Sequence, residues 1–306
     1  MDLDALSRQC ELQELSSCLI HRRDALIYRY EQIAGASSRL APINSCTKSV
    51  LSALICIAMD QGKLPGPDTP AARFFPQLRD DPDERKQAMT LEHLLTLTAG
   101  FRWTEFGGAN SFPAMTRSAN WTAYTLEQPL ADTPGTKMVY NSGVSQLLAA
   151  VLAQAVDETI AAYAERHLLH PLGIERYAWK RDPQGIHTGG FGMELAAADM
   201  LKFGLLFLHE GRTQGRQLIS EALVNRATSP AISVSPPERG SYGWHWWCDE
   251  IAGLRYYYAR GFGGQFIVIA PALDAVIVLT RQPRKRGPSP LDLFREHIAP
   301  MLGGIT

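Results

Sequence analysis

Ser45 and Lys48 have the spacing in this sequence that most directly suggests chemistry, because a nucleophile stands three residues before a base. They open the run SCTKSVLSALICIAMDQGKL, whose almost unbroken apolar stretch predicts a buried helix. Residues i and i+3 share a helical face, so Lys48 would lie beside Ser45, and apolar surroundings would favour its neutral, basic form. The unpaired N–H groups of the first helical turn would also stabilise an oxyanion beside Ser45.

A purely structural interpretation of this tetrapeptide stays open at this point, because S-x-x-K often occurs by chance. In that interpretation Ser45 caps the helix and Lys48 is a surface residue. Two observations favour catalysis instead: Lys48 lies in a helix too apolar for the surface, and two further segments follow it in order. These segments are PGTKMVYNSG at 134–143 and ARGFGGQF at 259–266.

Through SCTK and these two segments, the chain resembles the superfamily of serine β-lactamases and penicillin-binding proteins. It is most similar to the class C-like branch of esterases and 6-aminohexanoate-dimer hydrolases. Tyr140 matches the family's Tyr-x-Asn or Tyr-x-Ser element, and Gly261 matches the glycine of its Lys-Thr-Gly motif. Gly261, Gly263 and Gly264 would let a substrate carbonyl approach the strand edge, although a plain hairpin turn explains them equally well. The similarity runs from about residue 18 to the C-terminus.

The resemblance implies a serine hydrolase that works through an acyl-enzyme, without a metal or other cofactor. Ser45 would attack an acyl carbonyl, Lys48 and Tyr140 would pass its proton to the leaving group, and water would release the acyl group. The backbone N–H groups of Ser45 and Phe262 would form the oxyanion hole. Four further residues are predicted to contact substrate, namely Asn141, Ser142, Gly261 and Trp103.

Two departures from the family pattern bear on the substrate. Ala259 replaces the lysine that commonly binds a β-lactam carboxylate, and Arg260 either takes its place or faces solvent. Ser142 stands where many members have Asn, although Asn141 is adjacent. Both changes favour small esters or amides as substrates. A β-lactamase or D-Ala carboxypeptidase, and a non-catalytic ligand-binding relative of the same fold, remain as alternatives.

Predicted strands lie at both ends of the chain. Residues 18–31 predict a β-hairpin, and the segments 242–249, 254–260 and 266–279 are rich in β-forming residues. The last two are joined through GFGGQ and are predicted to be antiparallel neighbours. Strands at both ends favour an α+β fold of the β-lactamase/transpeptidase type, with an antiparallel sheet flanked by helices, over a parallel α/β fold.

Predicted helices fill the middle of the chain. Apolar periodicity and Gly, Pro or Asn breaks place helices at 45–62, 91–100, 119–126, 145–156, 158–169 and 195–211. The Pro- and Asp-rich stretch 64–84 predicts loop with a short helix at most. We therefore expect a discontinuous sheet lobe of residues 1–66 and 185–306, and a mainly helical lobe of residues 67–184.

The composition limits the partners and the compartment. With 306 residues, 30 Lys+Arg and 31 Asp+Glu, the net charge is −1, so a nucleic-acid partner is not expected. Five cysteines without a CxxC pair indicate reduced thiols, and neither a leader nor an apolar run of about 20 residues is evident. These features predict a cytoplasmic protein with a small-molecule substrate and no membrane partner, and they leave the oligomeric state open.

Other groups that could bind a ligand have structural explanations. The pairs His167/His170 and His245/Cys248 lack the further ligands that a zinc site requires. The sequence has no G-x-S-x-G elbow, no GxxxxGK loop and no complete GxGxxG motif. The basic run RQPRKRG at 281–287 predicts a solvated turn.

Overall fold

A computed structural model describes residues 3–282 and 288–303 of the chain. Most of the basic run predicted to be a solvated turn, residues 283–287, lies outside the described residues. Within them, the α-helices are α1 Leu3–Leu12, α2 Thr47–Asp60, α3 Leu91–Leu95, α4 Phe112–Arg117, α5 Trp121–Leu126, α6 Ser142–Ala155, α7 Ile160–Ala164, α8 Ala197–Leu208, α9 Glu221–Thr228, α10 Pro290–Leu293 and α11 Ala299–Gly303. The strands are β1 Leu15–Arg22, β2 Ala25–Glu31, β3 Ala41–Pro42, β4 Ala178–Trp179, β5 Met193–Leu195, β6 Arg212–Thr213, β7 Arg216–Gln217, β8 Ile232–Ser233, β9 Ser241–Tyr242, β10 Trp247–Ile251, β11 Leu254–Gly261, β12 Gln265–Ala270 and β13 Ala275–Arg281.

Eight strands form one antiparallel sheet in the order β2-β1-β13-β12-β11-β10-β9-β8. The N-terminal hairpin therefore pairs with the last strand, with Ile20 opposite Ile277. β12 and β13 are buried at every residue, which means that both faces of these strands are covered, since successive side chains point to opposite faces. Helices α8 and α10 both pack against β12. The predicted α+β fold with an antiparallel sheet flanked by helices is confirmed.

The predicted hairpins are present with short turns. Arg23 turns the first hairpin with a φ of 54°, and β11 and β12 pair antiparallel from Gly261 opposite Gln265. The segment 242–249, which is rich in β-forming residues, does not form one continuous strand. It is divided between β9 and β10 because His245 has a φ of 58° and its backbone N–H donates to the carbonyl of Leu95 instead of a strand neighbour.

Helix α2 is the predicted buried helix, and all of its residues from Thr47 to Ala58 are buried. It packs against α6 and against β11, which brings the helical middle of the chain to the sheet. The described strands of the large sheet come from residues 15–31 and 232–281, and α3 to α7 come from residues 91–164. The division into two lobes at 66/67 and 184/185 stays a prediction.

Several helices differ from their predicted bounds. The helix expected at 91–100 ends at Leu95 because Leu97 takes a left-handed conformation, with a φ of 56°. The helix expected at 158–169 is α7 continued by a π-helical turn at Glu165–Leu169. The sequence analysis did not predict α1, α4, α9, α10 or α11, of which α4, α10 and α11 have only four to six residues.

Among the described residues, no single helix is long and apolar enough to cross a bilayer. Ser142–Ala155 and Ile160–Leu172 satisfy that length and composition together, but they are bent by 79° relative to each other. The residues of α6 from Ser142 to Leu152 are buried inside the protein, as in the core helix of a globular fold.

Candidate active site

A cavity of about 280 Å³ opens between the start of α2 and the end of β11. Its polar lining consists of Ser45, Glu105, Ser235, Glu238 and Arg260. Its apolar and aromatic lining consists of Phe106, Met138, Tyr140, Val234, Trp247 and Phe262. Phe106 and Phe262 are 82% and 53% exposed and approach each other with ring centroids 6.4 Å apart, so they flank the mouth.

Ser45 lies in a 3-10 turn, Asn44–Cys46, that leads into α2. Its side chain is half-buried and reaches the cavity. The residue that caps α2 is Cys46, without a side-chain cap hydrogen bond, so Ser45 is not the N-cap of the structural alternative. Burial raises the pKa of the neighbouring Cys46 thiol well above its usual range, which removes it as a competing nucleophile.

Lys48 is 1% exposed, and its Nζ atom has two hydrogen-bond acceptors. It donates to Ser142 Oγ at 2.9 Å and to the carbonyl of Gly190 at 3.0 Å, and it lies 4.6 Å from the centroid of the Tyr140 ring. A Cβ at position 190 would lie only 3.1 Å from Lys48 Nζ, so a glycine there lets its own carbonyl come within hydrogen-bond distance of Nζ. Nζ donates both bonds, so Lys48 is held between the side chain of Ser142 and the backbone of Gly190.

Ser142 and Glu105 orient Lys48. The Ser142 hydroxyl forms a short hydrogen bond with Glu105 Oε1, and its backbone N–H donates to Glu105 Oε2 at 3.1 Å. The indole N–H of Trp103 donates to the same oxygen at 2.9 Å. Because a carboxylate only accepts, the Ser142 proton goes to Glu105, and Ser142 Oγ accepts from Lys48. Lys48 is therefore the donor in its hydrogen bond to Ser142.

Tyr140 lines the cavity, and it directly precedes Asn141, the N-cap residue of α6. Its ring stacks on Trp247 with centroids 5.9 Å apart and planes at 19°. Contact with Lys48 on one side and Trp247 on another restricts the ring, because both neighbours are themselves buried. The hydroxyl end of Tyr140 therefore has a defined position in a cavity that also holds Ser45.

The edge of β11 lies directly against the backbone before Ser45. A Cβ at Gly261 would lie 2.2 Å from the carbonyl of Ile43, so only glycine permits this approach. Asn44, with a φ of 50°, donates from Nδ2 to the carbonyl of Phe262 at 2.8 Å. These contacts hold the two segments whose N–H groups, at Ser45 and Phe262, are predicted to form the oxyanion hole.

The sequence model of the family described as Beta-lactamase matches residues 35–296, which is most of the chain. The chain belongs to the β-lactamase family. The prediction of a β-lactamase-related serine hydrolase is thereby confirmed as to family and enzyme class.

Three relatives of this β-lactamase-family chain illustrate its range. The D-alanyl-D-alanine-carboxypeptidase/endopeptidase AmpH of Escherichia coli K12 is 28% identical over 277 residues, covering 80% of this chain and 71% of AmpH. A Bacillus anthracis protein assigned as a 6-aminohexanoate-dimer hydrolase has a TM-score of 0.84 at 16% identity, over 97% of this chain and 81% of that one. EstCE1, a hydrolase with promiscuous acyltransferase activity, has a TM-score of 0.76 at 17% identity, over 95% and 96%. At these identities the two structural likenesses show the fold.

The residues that line the cavity of this family member include none of the four predicted substrate contacts, Asn141, Ser142, Gly261 and Trp103. Asn141 is 2% exposed, and its Oδ1 caps α6 by accepting from the N–H of Val144. Trp103 is 7% exposed, packs with Met115 and Trp121, and reaches the site through its bond to Glu105. Ser142, also predicted to contact substrate, is 2% exposed and bonds Lys48.

Glu105, Glu238 and Trp247 line the cavity, and the sequence analysis did not assign them a role. Glu105 and Glu238 lie in irregular segments outside any helix or strand, so no periodicity marks them. The only sequence signal for Glu105 is its place two residues after Trp103, in the loop that follows α3. Within the described residues, no three His, Cys, Asp or Glu side chains are grouped to hold a metal ion.

His245 lies behind Lys48 and is 1% exposed. Its Nδ1 donates to the carbonyl of Leu95 at 2.9 Å, so Nε2 accepts from the hydroxyl of Ser145 at 3.0 Å. Burial, with a smaller contribution from the nearby Lys48 charge, lowers the pKa of His245 to about 3. The folded protein therefore holds this imidazole neutral where an unfolded chain would protonate it.

We expect the free energy of unfolding to fall as the pH falls from about 6.5 toward about 3. In this window the unfolded chain binds a proton at His245 and the folded chain does not, so each pH unit costs about 1.4 kcal/mol from this residue. His245→Asn should remove that contribution, because Asn does not titrate, tolerates the left-handed backbone, and offers Nδ2 as a donor to Leu95. Urea unfolding between pH 7 and pH 4 measures the two slopes.

The comparison of slopes is needed because burial also lowers the pKa of four other histidines, His21, His93, His167 and His187. These contribute equally to the wild type and to His245→Asn. Parallel pH dependences of the two proteins would contradict the assignment to His245, whatever their absolute stabilities.

Proposed function

We propose that the protein hydrolyses small esters or amides through an acyl-enzyme on Ser45. The observation that carries this proposal is that Ser45 and Tyr140 open on one small cavity, while the buried Lys48 amine lies 4.6 Å from the centroid of the Tyr140 ring and is held by two hydrogen bonds. A base with an available lone pair beside a serine hydroxyl is the arrangement that activates such a nucleophile.

In the first half-reaction, Ser45 Oγ attacks the substrate carbonyl and its proton passes to Lys48. The N–H groups of Ser45 and Phe262 stabilise the oxyanion of the tetrahedral intermediate. Lys48 returns this proton through the Tyr140 hydroxyl to the leaving alcohol or amine as the bond to it breaks, and the acyl group stays on Ser45. In the second half-reaction, water attacks the ester bond to Ser45 and loses a proton to the same relay, which releases the carboxylic acid and restores the serine.

The cavity favours a small and mostly apolar acyl group. Its volume of about 280 Å³ is at the lower end for ligand sites, and apolar and aromatic side chains together form just over half of its wall. Ala259, which stands where the family's carboxylate-binding lysine would be, is 1% exposed, and the neighbouring Arg260 is paired with Glu238 at 2.6 Å. Recognition of a β-lactam or peptide carboxylate therefore lacks a free cation among the described lining residues.

A substrate panel tests this function. We expect 4-nitrophenyl esters of two to six acyl carbons to be hydrolysed with multiple turnovers, 4-nitroanilides of the same acids more slowly, and nitrocefin with a kcat/KM at least about 100-fold below the best ester. Nitrocefin turned over as well as the esters would favour a β-lactamase. Release of D-Ala from a D-Ala-D-Ala peptide at ester-like rates would favour the carboxypeptidase activity named for AmpH.

The same panel addresses the non-catalytic alternative. A single stoichiometric burst of nitrophenol, without further turnover, would show that the chain acylates and does not deacylate. We also propose that the protein acts in the cytoplasm, a proposal supported by its five cysteines, all of which are buried free thiols.

A further inference from the structure

Arg260 and Glu238 form an ion pair in the wall of the cavity that contains Ser45. Arg260 Nη1 lies 2.6 Å from Glu238 Oε2, and both side chains line the cavity. They are 41% and 40% exposed, so the pair is open to solvent and to an entering substrate. The pair is thus part of the surface that an acyl group would meet.

The backbone fixes Arg260 more firmly than it fixes Glu238. Arg260 lies in β11, paired with Phe266 across the sheet, and its guanidinium lies 5.6 Å from the centroid of the Trp247 ring. Glu238 lies in the irregular segment between β8 and β9. The cation therefore has a defined place two residues before Phe262, and the carboxylate comes to it from a loop.

The charges of the cavity wall are unequal. Of the described residues that line it, Arg260 is the only cation, whereas Glu105 and Glu238 are both acidic. Glu105 accepts hydrogen bonds from Ser142 and Trp103, so it is not available to balance Arg260. While Glu238 occupies the guanidinium, a carboxylate on a substrate meets two like charges and no free partner.

We propose that Glu238 is the residue that makes the enzyme select neutral acyl groups, because it occupies Arg260 in place of a substrate carboxylate. This inference rests on the proposed ester hydrolysis and names its substrate class. Without Glu238, the Arg260 guanidinium in the cavity wall would be free to bind a carboxylate on the acyl chain. Because ion pairs this exposed are weak, Glu238 competes with a substrate carboxylate and does not exclude it completely.

The test compares two esters that differ only at the end of a six-carbon acyl chain, 4-nitrophenyl hexanoate and mono-4-nitrophenyl adipate. The measured quantity is the ratio of kcat/KM for adipate to that for hexanoate, after subtraction of spontaneous hydrolysis. In Glu238→Gln we expect this ratio to rise about fivefold to tenfold, mainly through a lower KM for adipate. Glu238→Ala should also raise this ratio, so the result does not depend on the properties of the Gln side chain.

Two controls separate the proposed cause from a general effect of charge. Glu250→Gln removes the same charge from the exposed pair that Glu250 forms with Arg255 at 3.4 Å, and it should leave the ratio within twofold of wild type. The double variant Glu238→Gln/Arg260→Gln should lose the gain. A ratio that does not change in Glu238→Gln, that rises equally in Glu250→Gln, or that stays high in the double variant would overturn the inference.

Failure of this inference is distinct from failure of the proposed function. If wild type hydrolyses hexanoate and the ratio stays constant, ester hydrolysis stands and the role of Glu238 is wrong. If folded wild type hydrolyses neither ester, both are wrong.

Discussion

We expect Ser45→Ala to abolish the hydrolysis of 4-nitrophenyl esters, with kcat lower by about 10³-fold or more, and to take up no fluorophosphonate label. Loss of the nucleophile from a serine hydrolase has an effect of this size because the remaining groups have no hydroxyl to activate. Ser45 is half-buried and does not cap α2, so its removal should cost little stability. Turnover, intact mass after labelling and the melting temperature are the measurements.

Ser235 provides the matched control, because it is another serine in the wall of the same cavity. Ser235→Ala should still take up one label, at Ser45. If the label persists in Ser45→Ala and disappears in Ser235→Ala, the nucleophile is Ser235 and the proposed mechanism is wrong.

Lys48→Met has the second large effect, a loss of about 10³-fold in kcat in a protein that still folds. Met has a similar length and removes both the base and a polar group that is 1% exposed. The two lost hydrogen bonds, to Ser142 and to the carbonyl of Gly190, destabilise the fold, and relief from the burial of a polar amine offsets part of that. We expect the free energy of unfolding to change by no more than about 2 kcal/mol.

Lys48→Arg distinguishes a base from a fixed charge. Arginine keeps a positive charge and hydrogen-bond donors but has no lone pair that accepts a proton. If Lys48 is the base, Lys48→Arg is as inactive as Lys48→Met. An arginine variant that keeps more than about a tenth of the wild-type kcat would mean that Lys48 acts through its charge and its position only.

Much of the fold follows from the sequence because its signals are local and strong. The hairpin at β1 and β2, the buried helix α2 and the antiparallel pair β11 and β12 each combine a clear apolar pattern with a turn residue. The segment 243–246 is different, because its composition favours a strand but the backbone turns at His245, which has a left-handed conformation. That turn depends on the contact with Leu95, some 150 residues away in the chain, which no local pattern contains.

The residues of the candidate site also fall into two groups, those that the sequence predicts and those that it does not. The sequence predicts Ser45, Lys48 and Tyr140 as catalytic residues because they stand in motifs at the starts of buried helices, where helical geometry fixes the spacing. Glu105 and Glu238 come from irregular segments, whose course depends on tertiary packing, and so the sequence did not indicate that either would enter the cavity. Conversely, Trp103 and Asn141 have residue types suited to binding, but burial and capping keep them out of the wall.

The pairing of β1 with β13 also bears on the order in which the protein acquires its structure. The hydroxyls of Ser17 and Thr280 lie 2.6 Å apart across this pair although 263 positions separate them in the chain. Contacts between such distant segments form slowly, because closing the intervening loop costs conformational entropy before any contact compensates for it. During synthesis Ser45 and the residues of α2 emerge early, but β11 emerges more than 190 residues later. A ribosome-bound chain thus carries Ser45 long before it has the strand edge, at Gly261, that lies against the backbone before Ser45.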